Sequence, residues 1–125
     1  MKNKQVILWL LVILYMGVIY YLSSLSNPVE ELVPKTLFPY FNFQHFIYHI
    51  IEYGILNFLL YRTFKDTSKN PQTLSMLITI LYAITDEVHQ YFVPGRISSV
   101  FDIVFDSFGA IAMQCIINIY NWLKN

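Results

Sequence analysis

Residues 6–22 read VILWLLVILYMGVIYYL, an apolar run that follows a short basic start of the chain. A helix rises about 1.5 Å per residue, so roughly 20 residues cross a hydrocarbon core of about 30 Å. The run is longer than the roughly 7–15 apolar residues of a signal peptide. Residues 23–26 (SSLS) also form a poor cleavage site. The run therefore predicts an uncleaved first transmembrane helix.

Three further apolar segments follow, at residues 46–61, 74–92 and 103–123. The chain has 125 residues, of which 56% are hydrophobic and only 13% charged, whereas soluble domains carry about 25% charged residues. Four such segments in so short a soluble protein would leave almost no polar surface. We therefore predict an all-α fold, a four-helix transmembrane bundle in a single domain, 1–125. The predicted helices cover about residues 5–24, 44–63, 73–92 and 102–123.

The distribution of Lys and Arg predicts how the bundle is oriented, because these residues accumulate on the cytoplasmic side. With four spans both termini share a side, and that side carries six of the eight basic residues. The six are Lys2, Lys4, Arg62, Lys65, Lys69 and Lys124. The other side carries Lys35 and Arg96. We therefore expect a multi-pass protein of the cell membrane with both termini cytoplasmic and with loops 25–43 and 93–101 outside.

The composition disfavours nucleic acid as a partner and excludes an internal disulfide. The eight basic residues are scattered and form no basic helix face, so no nucleic-acid partner is expected. The single cysteine, Cys115, lies inside the last apolar segment, and one cysteine cannot pair within the chain.

The most polar stretch lies where the third apolar segment ends, at residues 86–96, which read DEVHQYFVPGR. Charge at membrane depth is costly and usually marks function. Helical spacing predicts three polar faces at this depth: His45, His49 and Glu52; Asp86, His89 and Gln90; and Asp102 with Asp106. Glu87 lies beside the second face, and Ser24 lies near the end of the first helix. We therefore predict that polar residues of all four helices meet in one layer toward the outer leaflet.

These residues resemble the signature of the VanZ-like family. The pattern DExHQxFxPGR over 86–96 precedes Asp102 and a DxxG motif at 106–109. HxxEYxxL at 49–56 resembles the motif on the family's second helix, and YLSS at 21–24 resembles the end of its first. The resemblance covers nearly the whole chain. Many relatives carry a lysine just before the second-helix histidine, where residues 45–48 here are HFIY, so any role of that basic residue would pass to His45.

The resemblance implies a small integral membrane protein. The founding member of the family is associated with resistance to the lipoglycopeptide teicoplanin. By this resemblance we expect an outward-facing polar pocket that contributes to glycopeptide tolerance by binding or modifying a lipid-linked envelope component. The expected partners are membrane lipids and a lipid-linked cell-wall precursor or the lipoglycopeptide.

The first interpretation of the polar layer is a structural network in a membrane scaffold protein. Arg96 would then pair with Asp86, Glu87 or Asp102. Polar side chains do join helices in membranes, although each bond contributes only about 0.6–2 kcal/mol.

The second interpretation is a binding or catalytic site in which Arg96 holds an anionic head group. The remaining ligand-binding residues would be His49, Glu52, Gln90, Asp102, Asp106 and Ser24. If the protein is an enzyme, Glu87 or His89 would act as general base, with Asp86 orienting the histidine. Whether it is an enzyme stays open at this point.

The third interpretation is a membrane-embedded, metal-dependent hydrolase. His49, His89 and Asp106 would hold a divalent metal such as zinc, which takes nitrogen and oxygen ligands. The spacing by itself is not diagnostic, because the chain has no HExxH motif.

Overall fold

A computed structural model describes residues 2–26 and 43–124. Within these residues there are four α-helices and no strands, which confirms the all-α prediction. The helices are α1 (Lys2–Ser23), α2 (Phe43–Phe64), α3 (Pro71–Tyr91) and α4 (Val100–Lys124). Each helix begins and ends within three residues of the predicted position. Most of the predicted outer loop 25–43 lies outside the described residues.

Contacts along α1, α2 and α4 give the directions of these three helices. The Lys4 Nζ lies 3.3 Å from Asp66 Oδ2, just beyond the end of α2, and Gln5 donates to the Thr63 carbonyl. The start of α1 thus meets the end of α2, so the two helices are antiparallel. By contrast α2 and α4 are parallel. They touch near their starts through His49 and Asp106, and near their ends through Tyr61 and Asn121.

The third helix runs parallel to α1 and antiparallel to α4. Tyr82 donates to the Met16 carbonyl, and further along both helices Ser24 contacts His89. Gln72, at the start of α3, hydrogen-bonds Asn118, near the end of α4. The four helices therefore alternate in direction. The start of α1 and the end of α4 lie at the same end of the bundle, which we name the terminal end. The opposite end, where α3 leads into residues 92–99, is named the motif end.

A close approach of α2 and α4 depends on two glycines. A Cβ added to Gly109 would collide with the Ile50 carbonyl, and one added to Gly54 would lie 3.3 Å from the Gly109 carbonyl oxygen. Small residues at helix contacts let backbones approach in this way.

The bundle buries polar side chains and exposes apolar ones. Its buried polar residues are Ser23, His49, Asn57, Thr63, Ser75, Thr79, Asp86, Glu87, Gln90, Asp102, Asp106 and Gln114. Large apolar side chains are exposed on every helix, for example Leu14, Ile51, Leu81 and Ile119. Apolar side chains such as Leu56 and Leu60 are buried as well, but so many buried polar groups are unusual for a water-soluble domain, where a buried polar group is the exception.

Two of the described helices, α1 from Asn3 and α4, are long and apolar enough to cross a membrane. Only 17% of an apolar 18-residue stretch of α1, and 33% of the corresponding stretch of α4, is buried inside the bundle. A core helix of a soluble protein would be mostly buried instead. Length, composition and exposure therefore point to a membrane protein.

Candidate functional site

Five carboxylates from α2, α3 and α4 gather toward the motif end of the bundle. We name them, together with two histidines, the acid–histidine cluster: Glu52, Asp86, Glu87, Asp102 and Asp106, with His45 and His49. Four of the carboxylates are at most 5% exposed, and Glu52 is half-buried. Glu52 interacts electrostatically with both His49 and Asp86, which lie on different helices.

Two His–Asp contacts join α2 to α4 within the cluster. His49 Nδ1 lies 2.7 Å from Asp106 Oδ1, and His45 Nδ1 lies 3.7 Å from Asp102 Oδ1. The two histidines and the two aspartates are each four residues apart, so parallel helices bring them together as two contacts one turn apart. The histidine ring centroids are 4.5 Å apart. Asp102 also lies in the first turn of α4, where the helix dipole stabilises a negative charge.

Asp86 is held by hydrogen bonds from α2 and from its own helix. The Tyr53 hydroxyl donates to Asp86 Oδ2 at 3.1 Å, and Gln90 Nε2 donates to the same oxygen at 3.0 Å. Tyr53 is fully buried. Sequence reasoning did not include Tyr53 in the site, although its position four residues after His49 places both on the same helix face.

Glu87 fixes the segment that connects α3 to α4. Its Oε2 accepts the Ser99 backbone N–H at 2.9 Å. This segment turns at Pro94-Gly95, where Gly95 has φ 75°, a conformation that glycine adopts without strain. The turn leads directly into Arg96.

Arg96 is half-buried and forms no ion pair with Asp86, Glu87 or Asp102 in the part of the chain that the structure describes. Its Nε is buried without a hydrogen-bond partner. Its guanidinium charge interacts electrostatically with Glu52. The pairing expected for a purely structural network is therefore not observed among the described residues.

His89 faces α1, away from Asp86. Its Nε2 lies 2.8 Å from Ser24 Oγ, and its ring stacks on Tyr20 at 4.3 Å between centroids. The Ser24 hydroxyl also donates to the Tyr20 carbonyl at 2.6 Å. A hydroxyl has a single proton, so His89 is the donor to Ser24 in this arrangement.

The three residues predicted to be catalytic therefore contact three different neighbours. Asp86 contacts α2, Glu87 contacts the segment before α4, and His89 contacts α1. No hydrogen bond between Asp86 and His89 occurs within residues 2–26 and 43–124. The catalytic assignment stays a prediction, without the orienting contact that it invoked.

The predicted metal ligands are brought together only in part. His49 and Asp106 are in direct contact, whereas the contacts of His89 are with α1. The structure instead groups His45, His49 and Asp102, each of which offers one ligand atom within 4.8 Å of the others. Sequence reasoning placed His45 on the face of His49 but left it out of the metal set.

The cluster carries more negative than positive charge. Five carboxylates lie near one arginine, and three buried carboxylate oxygens have no hydrogen-bond partner among the described residues: Asp86 Oδ1, Glu87 Oε1 and Asp106 Oδ2. Burying unpaired charge is costly. The arrangement therefore requires protons, charged histidines or a bound cation for neutrality.

A separate cavity of about 330 Å³ lies between α2 and α4 at the terminal end. Its lining includes Phe58, Tyr61, Arg62, Lys65 and Tyr120. None of the acid–histidine cluster lines it. This cavity is therefore distinct from the polar pocket expected at the other end.

Comparison with known proteins identifies a family. The model of the family described as VanZ/LLP1 matches residues 6–121, nearly the whole chain. The matched region contains the entire acid–histidine cluster. No curated protein and no solved structure matches.

Proposed function

This chain belongs to the VanZ/LLP1 family, and from that premise we propose that it is a four-span protein of the cell membrane with an outward-facing ligand site. Membership indicates a membrane protein linked to glycopeptide resistance. In the proposed arrangement both termini are cytoplasmic and the motif end lies at the outer face.

Exposed apolar side chains on α2 and α3 support four spans rather than two. Ile51 and Ile55 are exposed on α2, and Leu81 and Val88 are exposed on α3. These helices have 22 and 21 residues, about 32 Å of helix each, which matches the hydrocarbon thickness. Exposing these apolar side chains to water would be unfavourable, whereas contact with lipid tails would be favourable. The excess of basic residues at the terminal end supports the orientation.

We propose that the acid–histidine cluster and Arg96 bind a lipid-linked envelope component or the lipoglycopeptide itself, and that this binding contributes to teicoplanin tolerance. The observation that carries the proposal is the burial of four carboxylates, with three unpartnered oxygens, inside an apolar bundle. Intramembrane ionisable residues usually mark ligand pathways or sites. A network that served packing alone would leave fewer acceptors unmatched.

The charges of the site suggest which ligand groups it would hold. The unpartnered oxygens of Asp86, Glu87 and Asp106 are acceptors, so they favour amines, hydroxyls or a cation on the ligand. Arg96 is suited to a phosphate or carboxylate, since its guanidinium donates in a fixed fork. His49, Glu52, Gln90, Asp102 and Ser24 would complete the lining.

A hydrolase is the second candidate, and the position of Glu87 favours it. One oxygen is held by the Ser99 N–H while the other is buried without a partner. A carboxylate anchored in this way is oriented to accept a proton from water. In this version the site modifies the envelope component rather than only binding it.

The test is teicoplanin susceptibility of a sensitive host that expresses the wild type, Glu87→Gln or Asp106→Asn. Asp66→Asn is the matched control, because Asp66 is an exposed acid at the terminal end. We expect both cluster variants to lose tolerance while their membrane levels equal the wild type, and the control to keep it. Full tolerance in both cluster variants would refute the site. Loss of tolerance that only follows loss of protein would favour the structural network.

A further inference from the structure

We propose that the acid–histidine cluster binds one divalent transition-metal ion through His45, His49 and Asp102. The proposal deepens the proposed function and rests on it only for placing the cluster at the outer face. It differs from the set His49, His89 and Asp106 that the sequence predicts.

The spacing of the three ligand atoms fits a single ion. They lie within 4.8 Å of one another. Zinc binds nitrogen and oxygen at about 2.0–2.2 Å in a tetrahedral arrangement, so two ligands of one ion lie about 3.3–3.6 Å apart. Side-chain adjustments of up to about 1–1.5 Å would therefore close the site. The ligands come from two parallel helices whose approach is set by Gly54 and Gly109.

Asp106 supplies a second, independent observation. Its Oδ1 lies 2.7 Å from His49 Nδ1, while its Oδ2 is buried and has no hydrogen-bond partner. A carboxylate that accepts the N–H of one ring nitrogen leaves the other as a metal ligand and fixes the ring. The unpartnered oxygen is the acceptor that a metal-bound water would satisfy. Asp106 is thus a positioning residue for His49 rather than one of the three ligands.

The ligand atoms of the site determine which metal ions fit it. Two imidazole nitrogens and one carboxylate suit zinc and neighbouring first-row metals, whereas magnesium and calcium prefer oxygen ligands. Three protein ligands leave coordination positions for water and for a ligand oxygen. The ion would also offset part of the negative charge of the cluster. A phosphate or carboxylate could then enter an otherwise acidic site by binding the metal and Arg96 together.

His89 is a matched control within the same layer of the bundle. It is a histidine of α3 whose Nε2 is engaged with Ser24 and whose ring stacks on Tyr20. It therefore lies on the α1 side of its helix. If the three-residue site is right, His89→Ala leaves metal affinity unchanged; if the sequence-predicted set is right, it abolishes binding.

The experiment measures zinc binding to the full chain, purified in detergent and stripped of metal, by competition with a chromogenic chelator. We expect one zinc ion per chain for the wild type. His45→Ala and Asp102→Asn should weaken binding at least roughly tenfold, and Asp106→Asn about 10–100-fold. His89→Ala should stay within about twofold. Cobalt substitution gives a second readout, since the visible absorption of bound cobalt should disappear in His45→Ala and persist in His89→Ala.

Three results would overturn the proposal: no saturable zinc binding by the wild type, equal loss in His45→Ala and His89→Ala, or magnesium bound as tightly as zinc. Each variant's melting temperature is measured in parallel, and His45→Gln replaces any alanine variant that does not fold. Teicoplanin tolerance tests the proposed function separately from zinc binding. Intact zinc binding without teicoplanin tolerance would refute that function alone, and tolerance retained in a protein that binds no zinc would refute only the metal.

Discussion

His49 on α2 and Asp106 on α4 are in direct contact, with Nδ1 and Oδ1 2.7 Å apart and both side chains buried. Gly54 lies five residues after His49, and Gly109 lies three residues after Asp106. At these glycines the two backbones lie so close that a Cβ on Gly109 would collide with the Ile50 carbonyl. The polar contact and the close packing thus occur within two turns of each other. We therefore expect the geometry of the acid–histidine cluster to depend on the packing of α2 against α4.

Gly109→Ala should destabilise the bundle by about 1–3 kcal/mol, because its Cβ would collide with the Ile50 carbonyl, a backbone atom that cannot move aside. Gly17→Ala is the control. A Cβ at Gly17 meets nothing within 4 Å, so that variant should be as stable as the wild type or slightly more stable. Thermal unfolding followed by circular dichroism in detergent measures both. Equal melting temperatures for the two variants would contradict the packing described for α2 and α4.

The His49–Asp106 contact should show strong energetic coupling in a double-mutant cycle with His49→Ala and Asp106→Asn. We expect a coupling of about 1–3 kcal/mol, since the two side chains touch in a buried site. The control cycle uses Lys4→Met and Asp66→Asn, whose side chains are 61% and 53% exposed. That pair should couple by less than about 1 kcal/mol. Unfolding in mixed micelles provides the free energies, and coupling as weak as the control would show that the buried contact is not formed.

Tyr53→Phe should lower the free energy of unfolding by about 1–2 kcal/mol, because it removes a buried donor to Asp86 Oδ2. The Gln90 hydrogen bond to the same oxygen remains, which limits the loss. Tyr48→Phe is the matched control, since Tyr48 is on the same helix and 69% exposed. The same unfolding measurement applies, and equal stability of both variants would argue against the Tyr53–Asp86 bond.

Labelling of single cysteines in intact cells should follow the proposed orientation. Ser26 and Lys69 are exposed at opposite ends of the bundle, and Cys115→Ser removes the native thiol. We expect an impermeant maleimide to label Ser26→Cys from outside, and Lys69→Cys only after the membrane is opened. The reverse pattern would invert the bundle. Labelling of both cysteines from outside would contradict the proposal that the two ends of the bundle lie on opposite sides of the membrane.

The sequence predicts the helices well because a helix is a local structure. Apolar runs of 16–21 residues between polar stretches set the four segments, and spacing of four residues places His45 with His49 and Asp102 with Asp106. The layer of polar residues follows from depth along each helix. The family resemblance follows from the same residues and is confirmed over 6–121.

The partners within the layer could not be predicted in the same way. Asp86, His89 and Gln90 were assigned to one face, yet His89 and Gln90 differ by about 100° around the helix. In the structure, α3 is oriented so that Asp86 accepts hydrogen bonds from Tyr53 and Gln90. His89 instead contacts Tyr20 and Ser24. His89, which the sequence assigned to the metal ligands, therefore contacts α1, whereas His45, which it did not, lies with His49 and Asp102.

What the sequence determined by itself is the extent of the four described helices and the positions of the polar residues along them. Each of these depends on the residues of one segment. Only the tertiary structure decided that α2 and α4 run side by side in parallel and that His45 and His49 meet Asp102 and Asp106. A helix that is apolar over most of its surface carries little information about which side meets a neighbour. That choice is made by packing between helices, here by the fit of Gly109 against the Ile50 backbone.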